Sequence, residues 1–242
     1  MNSLKWKGLG RKIESSCRKA LYDYQMIDES GKMAVALSGG KDSLTLLFML
    51  KKILGRGFPD AELFAIHVDG EFTCGAGVNK EFLKKTCDEL DVPFIVCEST
   101  QRLETLECYR CSRERRSLLF EAAKSVGAHT IAFGHHRDDN AQTLMMNMLQ
   151  KGEFAGMLPK ITMQRYDVTI VRPLIYVSEA EIREFAMQSG FARISCQCPV
   201  GQNSRRKQVD RLLDEMDEMF PNARHNLAQA SLLYGSDKAK NP

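Results

Sequence analysis

The stretch Ala34-Val-Ala-Leu-Ser38-Gly39-Gly40-Lys41-Asp42-Ser43-Leu44-Thr-Leu-Leu47 decides the fold of this chain. The apolar run from Met33 to Leu37 indicates a buried strand. After the two glycines, apolar residues recur with helical spacing, which predicts a helix. Glycine turns and helix N-termini both present N–H groups, so a strand–glycine–helix junction is suited to binding an anion such as a phosphate.

The side chains of this junction strengthen the prediction of a phosphate site. Ser38 and Ser43 bring hydroxyl donors, and Lys41 brings a full positive charge. Asp42 is a candidate contact for Mg2+. The spacing fits neither the Walker A loop nor the G-x-G-x-x-G of dinucleotide folds. A glycine turn that only connects two elements is the alternative, but a connector has no use for two hydroxyls, a lysine and a carboxylate together.

Composition excludes several classes of protein. The chain has 242 residues, 27% of them charged, and a net charge of +3, which suits a globular α/β domain. Its apolar runs fall short of the roughly 18 residues of a membrane span, and its start lacks the apolar core of a signal peptide. Eight cysteines without a secretion signal indicate a reducing, cytoplasmic location and metal or redox chemistry instead of disulfides.

Further apolar runs predict the other strands of a parallel sheet: Ala61–Val68, Val92–Cys97, Thr130–Phe133 and Val168–Leu174. In such a sheet ligands lie beyond the carboxyl ends of the strands. Asp69, Gly134 and His135 are therefore expected on the nucleotide side. Asp138 and Asp139 follow in the first turn of a helix. They are either plain helix-start residues or groups that hold Mg2+ or orient a basic side chain.

Cysteines form the second group of candidate residues. Cys108 and Cys111 open a predicted helix with a spacing that lets both sulfurs bind one metal, and nearby arginines favour the thiolate. A lone C-x-x-C is compatible with zinc, an iron–sulfur cluster, a redox dithiol or chance. Cys196 and Cys198 supply further thiols later in the chain. Three other cysteines fall on apolar faces and are expected in the core: Cys17, Cys87 and Cys97.

Two basic segments are candidates for contact with an RNA backbone. Residues 1–27 predict an amphipathic helix whose polar side is basic and has Trp6 beside it. The second segment is a run on a later helix: Arg205, Arg206, Lys207 and Arg211. Each could equally be a solvated helix face. We expect a basic N-terminal segment at 1–30, a central domain at 31–220 and a C-terminal helix with a tail at 221–242.

The order of the motifs resembles that of the tRNA 2-thiocytidine synthetase family of PP-loop ATP pyrophosphatases. The motifs are Ser-Gly-Gly-Lys-Asp-Ser, Cys-x-x-Cys-Ser-Arg-x-Arg-Arg, Gly-His-His-Arg-Asp-Asp-x-x-Gln-Thr, Arg-Pro-Leu and a late cysteine. The resemblance runs from about residue 11 to residue 220. It implies a doubly wound α/β fold with a mainly five-stranded parallel sheet and helical N- and C-terminal additions.

The resemblance also implies a site. ATP and Mg2+ would be bound by residues 38–43 with Asp138 and Asp139, and a [4Fe-4S] cluster would be held by Cys108, Cys111 and Cys198. Family members carry Pro-Cys-x-x-Cys-Gly-Ser-Gln where this chain has Ser-Cys196-Gln-Cys198-Pro, which is more similar to the thiouridine branch. Cys196 is therefore the alternative third ligand.

The function that the resemblance implies is ATP-dependent thiolation of tRNA. The position-2 carbonyl of a pyrimidine, most simply an anticodon-loop cytidine, would be adenylated and its oxygen replaced by sulfur. Arg115 would stabilise charge on the activated base. The implied partners are tRNA, a sulfur donor (a persulfide carrier or hydrosulfide) and a second copy of the chain, without a membrane.

Other interpretations stay open at this point. One is a related enzyme that thiolates a uridine or another substrate and has a structural zinc site made of the four thiols. Another is an amidating or lysidine-forming ligase of the same fold, which has no need of clustered cysteines. A third is a protein that binds ATP and RNA without catalysis and releases no pyrophosphate.

Overall fold

A computed structural model describes residues 8–70, 79–99, 108–191 and 205–235, with the side chains of 108–112 excepted. The strands are β1 Lys32–Ala36, β2 Glu62–Asp69, β3 Phe94–Glu98, β4 Thr130–Ala132, β5 Lys160–Met163 and β6 Val168–Val171. The helices are α1 Leu9–Asp23, α2 Lys41–Ile53, α3 Lys80–Glu89, α4 Cys108–Ser125, α5 Arg137–Lys151, α6 Glu179–Gln188, α7 Arg205–Met219 and α8 Ala223–Tyr234.

The strands form one sheet in the order β3-β2-β1-β4-β6-β5. All neighbours are parallel except β5 and β6. Helices α1, α2 and α6 bury their apolar sides on one face of the sheet, and α4 covers the other. The predicted doubly wound α/β fold is confirmed. The strand order reverses between β1 and β4, and this switch point is where sheets of this kind bind ligands.

One strand was not expected from the sequence. β5 pairs antiparallel with β6 through a turn in which Asp167 has a positive φ of 53°. Its residues alternate between exposed and half-buried, as is typical of an edge strand, so there is no apolar run to detect. The fifth predicted strand is also shorter than expected. β6 ends at Val171, before Pro173, which lacks the N–H that a ladder requires.

Helix α1 belongs to the main core. Ile13, Cys17 and Leu21 are buried in the same apolar cluster as α2. Three of the four basic side chains of α1 lie in ion pairs: Lys12 with Glu181, Arg18 with Glu14 and Lys19 with Asp23. These pairs favour the solvated-face interpretation for this helix, while residues 1–7 lie outside the described ranges. None of the helices described is long and apolar enough to cross a membrane.

The expected core cysteines are found in the core. Cys17 and Cys87 are fully buried, and Cys97 is half-buried. Burial raises the pKa of the Cys87 thiol to about 11 and raises the pKa values of Cys17 and Cys97 as well. These thiols are therefore protonated at neutral pH and are poor metal ligands.

Helices α7 and α8 pack on α5, the helix that follows β4. The buried Asn140 joins them: its Nδ2 donates to the Ala228 carbonyl at 3.1 Å, and its Oδ1 accepts from the Met157 N–H at 2.7 Å. Gln142 donates to Asp210 at 2.7 Å on α7. These contacts fix the position of α5, whose N-terminus carries candidate site residues. The domain bounds at residues 30 and 220 stay predictions.

Candidate active site

The phosphate-binding junction has the geometry that its sequence predicts. Gly39 has a φ of 82°, which glycine adopts without strain. The Ser38 and Ser43 hydroxyls lie 3.2 Å apart, and Ser43 Oγ donates to the Gly40 carbonyl at 3.0 Å. Gly40 is the N-cap of α2 and brings no side chain to its first turn. The N–H groups of that turn are therefore available to an anion.

The segment after β4 lies directly on this loop. A Cβ added to Gly134 would lie 3.0 Å from the carbonyl carbon of Asp42 and 3.0 Å from the nitrogen of Ser43. These are backbone atoms that cannot rotate away, so a side chain at this position would require the loop to move by a few tenths of an ångström. Gly134 was predicted on the nucleotide side, and its evident physical role is to let the ends of β1 and β4 meet.

Asp138 and Asp139 both have protein partners. Asp139 accepts from the His136 N–H at 3.1 Å, and the Asp139 N–H donates to the His136 ring at 3.4 Å, which makes a capping box at the start of α5. Asp138 is 6% exposed and accepts from the Glu179 N–H at 2.6 Å. Each carboxylate thus accepts a hydrogen bond at the start of a helix, Asp139 at α5 and Asp138 at α6. Their role with Mg2+ stays a prediction, since no metal-binding group of three His, Cys, Asp or Glu side chains occurs within the described ranges.

Lys41 joins the loop to α6. Its Nζ lies 3.0 Å from Asp42 Oδ1 and 3.1 Å from Glu179 Oε1. Burial alone would lower the pKa of Lys41, but the two carboxylates outweigh it and raise the pKa. Glu179 is a site residue that sequence reasoning missed. The Ser178–Glu181 capping box, directly after the Arg-Pro-Leu strand end, could have placed it at this edge.

His135 and Arg172 lie side by side beyond the ends of β4 and β6. Burial, with help from the Arg172 charge, lowers the pKa of His135 to about 4. Burial and the nearby Arg116 lower the pKa of Arg172 to about 10. Asp139 opposes both shifts. The structure thus brings Arg172, which was not among the predicted site residues, next to the predicted His135.

Asp69 lies at the same edge on β2, as predicted, and pairs with Lys80 at 2.6 Å. The hydrogen bond from Lys80 lowers the pKa of Asp69. Next to it, the ring of the buried His67 is bonded through Nδ1 to the Leu37 carbonyl at 2.8 Å. Burial lowers the pKa of His67, and the charge of Arg115 adds to this effect. Arg115 therefore stands within electrostatic reach of the β2 end.

The first turn of α4 projects beyond the carboxyl edge of the sheet. Cys97 Sγ lies 4.0 Å from the Leu118 carbonyl, and Ser99 Oγ donates to Glu114 at 3.2 Å. Leu118 is thus level with the end of β3, and at about 1.5 Å of rise per residue Cys111 lies roughly 10 Å further out. The backbone of the Cys108–Cys111 turn therefore lies beyond the carboxyl edge of the sheet, which is also the edge where the phosphate-binding loop lies. The side chains of Cys108 and Cys111, and all of Cys196 and Cys198, lie outside the described part of the chain.

Comparisons with known proteins identify the family of this chain. The model of the PP-loop domain matches residues 10–198. The chain is 34% identical over 230 residues to a tRNA-cytidine(32) 2-sulfurtransferase of Syntrophotalea carbinolica, a match that covers 92% of this chain and 88% of the relative. It is 35% identical over 235 residues to the protein of that name from Paracoccus denitrificans, with 94% and 79% covered.

Among solved structures, the U34-tRNA thiolase NcsA from Methanococcus maripaludis, determined with its [4Fe-4S] cluster, has the same fold. Its TM-score is 0.72 at 22% identity, over 92% of this chain and 77% of that one. The family match covers most of the chain, and the sequence relatives are matched over most of their own length. The chain therefore belongs to the PP-loop domain family and, within it, to the tRNA-cytidine(32) 2-sulfurtransferases.

Proposed function

We propose that this protein is an ATP-dependent tRNA thiolation enzyme that replaces the position-2 oxygen of an anticodon-loop cytidine with sulfur. The observation that carries the proposal is the meeting of three elements at one sheet edge. The phosphate-binding loop is in backbone contact with Gly134, and the helical turn that contains Cys108 and Cys111 projects over the same edge. The names of the relatives support cytidine 32 as the target.

The chain's own residues suit the adenylation step. The loop N–H groups and Lys41 would hold the ATP phosphates, and the pyrimidine O2 would attack the α-phosphorus as the bond to the β-phosphate breaks and pyrophosphate leaves. Hydrosulfide would then add to C2, the C2–O bond would break with release of AMP, and one proton would be lost. Asp42, or Asp138 and Asp139, would bind Mg2+; Asp138 also accepts from the Glu179 N–H at the start of α6, and Asp139 also caps α5.

The donor set at the start of α4 fits an iron–sulfur cluster. Cys108 and Cys111 are one helical turn apart, next to Arg115 and Arg116, which favour the thiolate. A cluster bound by these two and Cys198 would supply an iron with an open position for a sulfur ligand. Arg115 would stabilise the activated base. Cys196 remains the alternative third ligand.

The proposed function requires contact with tRNA and a source of sulfur. Exposed arginines at the start of α7, Arg205 and Arg211, would contact the tRNA backbone. We also propose a persulfide carrier or hydrosulfide as sulfur source, a cytoplasmic location and a homodimer.

The test uses protein purified without oxygen. With tRNA, ATP and sulfide, we expect pyrophosphate release together with a thiolated cytidine detected by nucleoside mass spectrometry. Asp42→Ala should lose pyrophosphate release. Cys108→Ser should lose visible absorbance and iron, whereas Cys97→Ser, a thiol on the sheet, should keep both. Stoichiometric zinc without iron would refute the cluster, and normal pyrophosphate release by Asp42→Ala would refute the role of the loop.

A further inference from the structure

Two buried nitrogens lie unused beside the phosphate-binding loop, and the one on His135 is a donor in the tautomer that carries the ring proton there. The Nε of Arg172 and the Nδ1 of His135 are both buried and have no hydrogen-bond partner among the described residues. Leaving a buried polar group unpaired costs free energy, so such atoms point to a ligand that pairs with them. The two residues follow adjacent strands, since the Phe133 N–H donates to the Val171 carbonyl at 2.9 Å.

Both side chains are held in place by the protein. Arg172 donates through Nη1 to the Leu158 carbonyl, and its own N–H donates to the Pro159 carbonyl at 2.9 Å. The His135 ring stacks on Phe133 with centroids 5.7 Å apart and planes 13° apart. The donors are therefore preorganised, which lowers the entropy cost of binding a ligand.

The charge around these donors is unbalanced. Besides burial, the charges of Arg172 and Arg206 act on His135, and the charge of Arg116 acts on Arg172; Asp139 is the carboxylate that opposes them. Asp139 is already engaged by the His136 N–H at 3.1 Å and by Arg206 at 3.4 Å. Within the described ranges the buried Arg172 guanidinium forms no ion pair of its own, and a buried charge without a counter-charge is stabilised by a bound anion.

We propose that Arg172 and His135 form a second oxyanion subsite, beyond the ends of β4 and β6, that receives a phosphate group. It is distinct from the loop, where Lys41 pairs with Asp42 and Glu179. The choice of phosphate rests on the proposed function, in which ATP and RNA are the ligands. The phosphate comes either from the RNA backbone beside the target base or from the α-position of the nucleotide, which Arg172 would then contact during adenylation.

The experiment compares binding by the full-length protein and its variants. The variants are Arg172→Gln, Arg172→Lys and His135→Phe, which keeps the ring stack but loses Nδ1. The control is Arg165→Gln, an exposed arginine in the turn between β5 and β6 at the opposite edge of the sheet. The dissociation constant of unmodified tRNA is measured at several salt concentrations, and that of a non-hydrolysable ATP analogue is measured separately.

The two binding measurements distinguish the source of the phosphate. If the phosphate is from RNA, Arg172→Gln should bind tRNA roughly 10- to 100-fold more weakly, because a charge-assisted hydrogen bond is lost, with analogue binding unchanged. The salt slope should fall in magnitude by about 0.7 to 0.9. If it is the nucleotide phosphate, the loss should appear with the analogue instead. Arg172→Lys should lose less affinity than Arg172→Gln for the same ligand. His135→Phe should also lose affinity for that ligand.

Two results would overturn the subsite. Folded Arg172→Lys and His135→Phe that bind both ligands as well as Arg165→Gln does would refute it while leaving the proposed function intact. Wild-type protein that binds neither tRNA nor the analogue would refute the proposed function, and the subsite with it. A variant that only melts earlier, with unchanged affinity below its melting temperature, shows a structural role for that residue and likewise refutes the subsite.

Discussion

The contact between Gly134 and the phosphate-binding loop can be tested by adding one methyl group. In Gly134→Ala, the new Cβ would lie 3.0 Å from Asp42 C and Ser43 N and 3.2 Å from Asp42 O. Ordinary contact begins near 3.4 Å, so the loop must move by a few tenths of an ångström. Gly134 has no positive φ, and alanine can adopt its backbone conformation. The effect is therefore one of space and not of backbone strain.

The expected magnitude follows from this displacement. Because a misplacement of about 1 Å can cost about 10²-fold in rate, a shift of part of that distance should slow pyrophosphate release roughly tenfold. Overpacking of this kind typically costs about 1 to 3 kcal/mol of stability. For a chain of this size, that corresponds to a melting temperature lower by roughly 2 to 12 °C.

The assay is tRNA-dependent pyrophosphate release, with thermal unfolding measured on the same samples. Gly190→Ala is the matched control, because it adds a methyl group at a φ of 79° with nothing within 4 Å, far along the chain at the end of α6. It should lose stability through backbone strain but keep its rate. Gly134→Ala with the wild-type rate and melting temperature would show that the loop and the β4 end are not in contact.

Three further predictions concern the surroundings of the site. The pKa of Glu179 is lowered, because the charges of Lys41 and His136 outweigh the effect of burial, so its charged form stabilises the fold. In chemical unfolding, the stability lost in Glu179→Gln should be constant well above the pKa of about 4.3 that glutamate has in an unfolded chain, and should shrink as the pH falls from there through the lowered pKa of the folded state. A pH-independent difference would contradict the pair. Asn140→Ala should lower the free energy of unfolding, measured in urea, by about 2 to 4 kcal/mol, because the Ala228 carbonyl and the Met157 N–H lose their partner. A loss below about 0.5 kcal/mol, which is typical of a surface substitution, would contradict this role of Asn140. Arg211→Gln should reduce the salt slope of tRNA binding by about 0.7 to 0.9 if α7 contacts the RNA backbone, and Lys85→Gln on α3 should leave it unchanged.

Much of the fold could be predicted because the central strands β1, β2 and β4 are buried on both faces and are therefore continuous apolar runs. The runs ending at Leu37 and Phe133 are of this kind, and both predicted strands are present within one residue of their expected ends. β5 could not be found in this way, because an edge strand exposes alternate side chains and has no such run. The C-terminal helices were predicted, but their attachment to α5 through Asn140 is a tertiary contact that leaves no local pattern.

The candidate site was predictable where chemistry is concentrated in a short segment. Residues 38–43 and 134–139 carry several polar groups directly after a strand, so topology alone places them together. Arg172 lies in the Arg-Pro-Leu motif and Glu179 in a helix capping box, but neither motif by itself indicates a role in the site. Only the fold shows that Glu179 lies 3.1 Å from Lys41 and that the Arg172 donor is buried without a partner.

If nucleotide activation and sulfur delivery serve one reaction on tRNA, its product is a thiolated nucleoside that this protein alone supplies. Mass spectrometry of tRNA nucleosides from cells that lack the protein tests it most directly. We expect 2-thiocytidine to disappear, to return with the wild-type chain, and not to return with either Asp42→Ala or Cys108→Ser. A thiolated nucleoside pool that is unchanged in the deletion, or is restored by both variants, would contradict the claim.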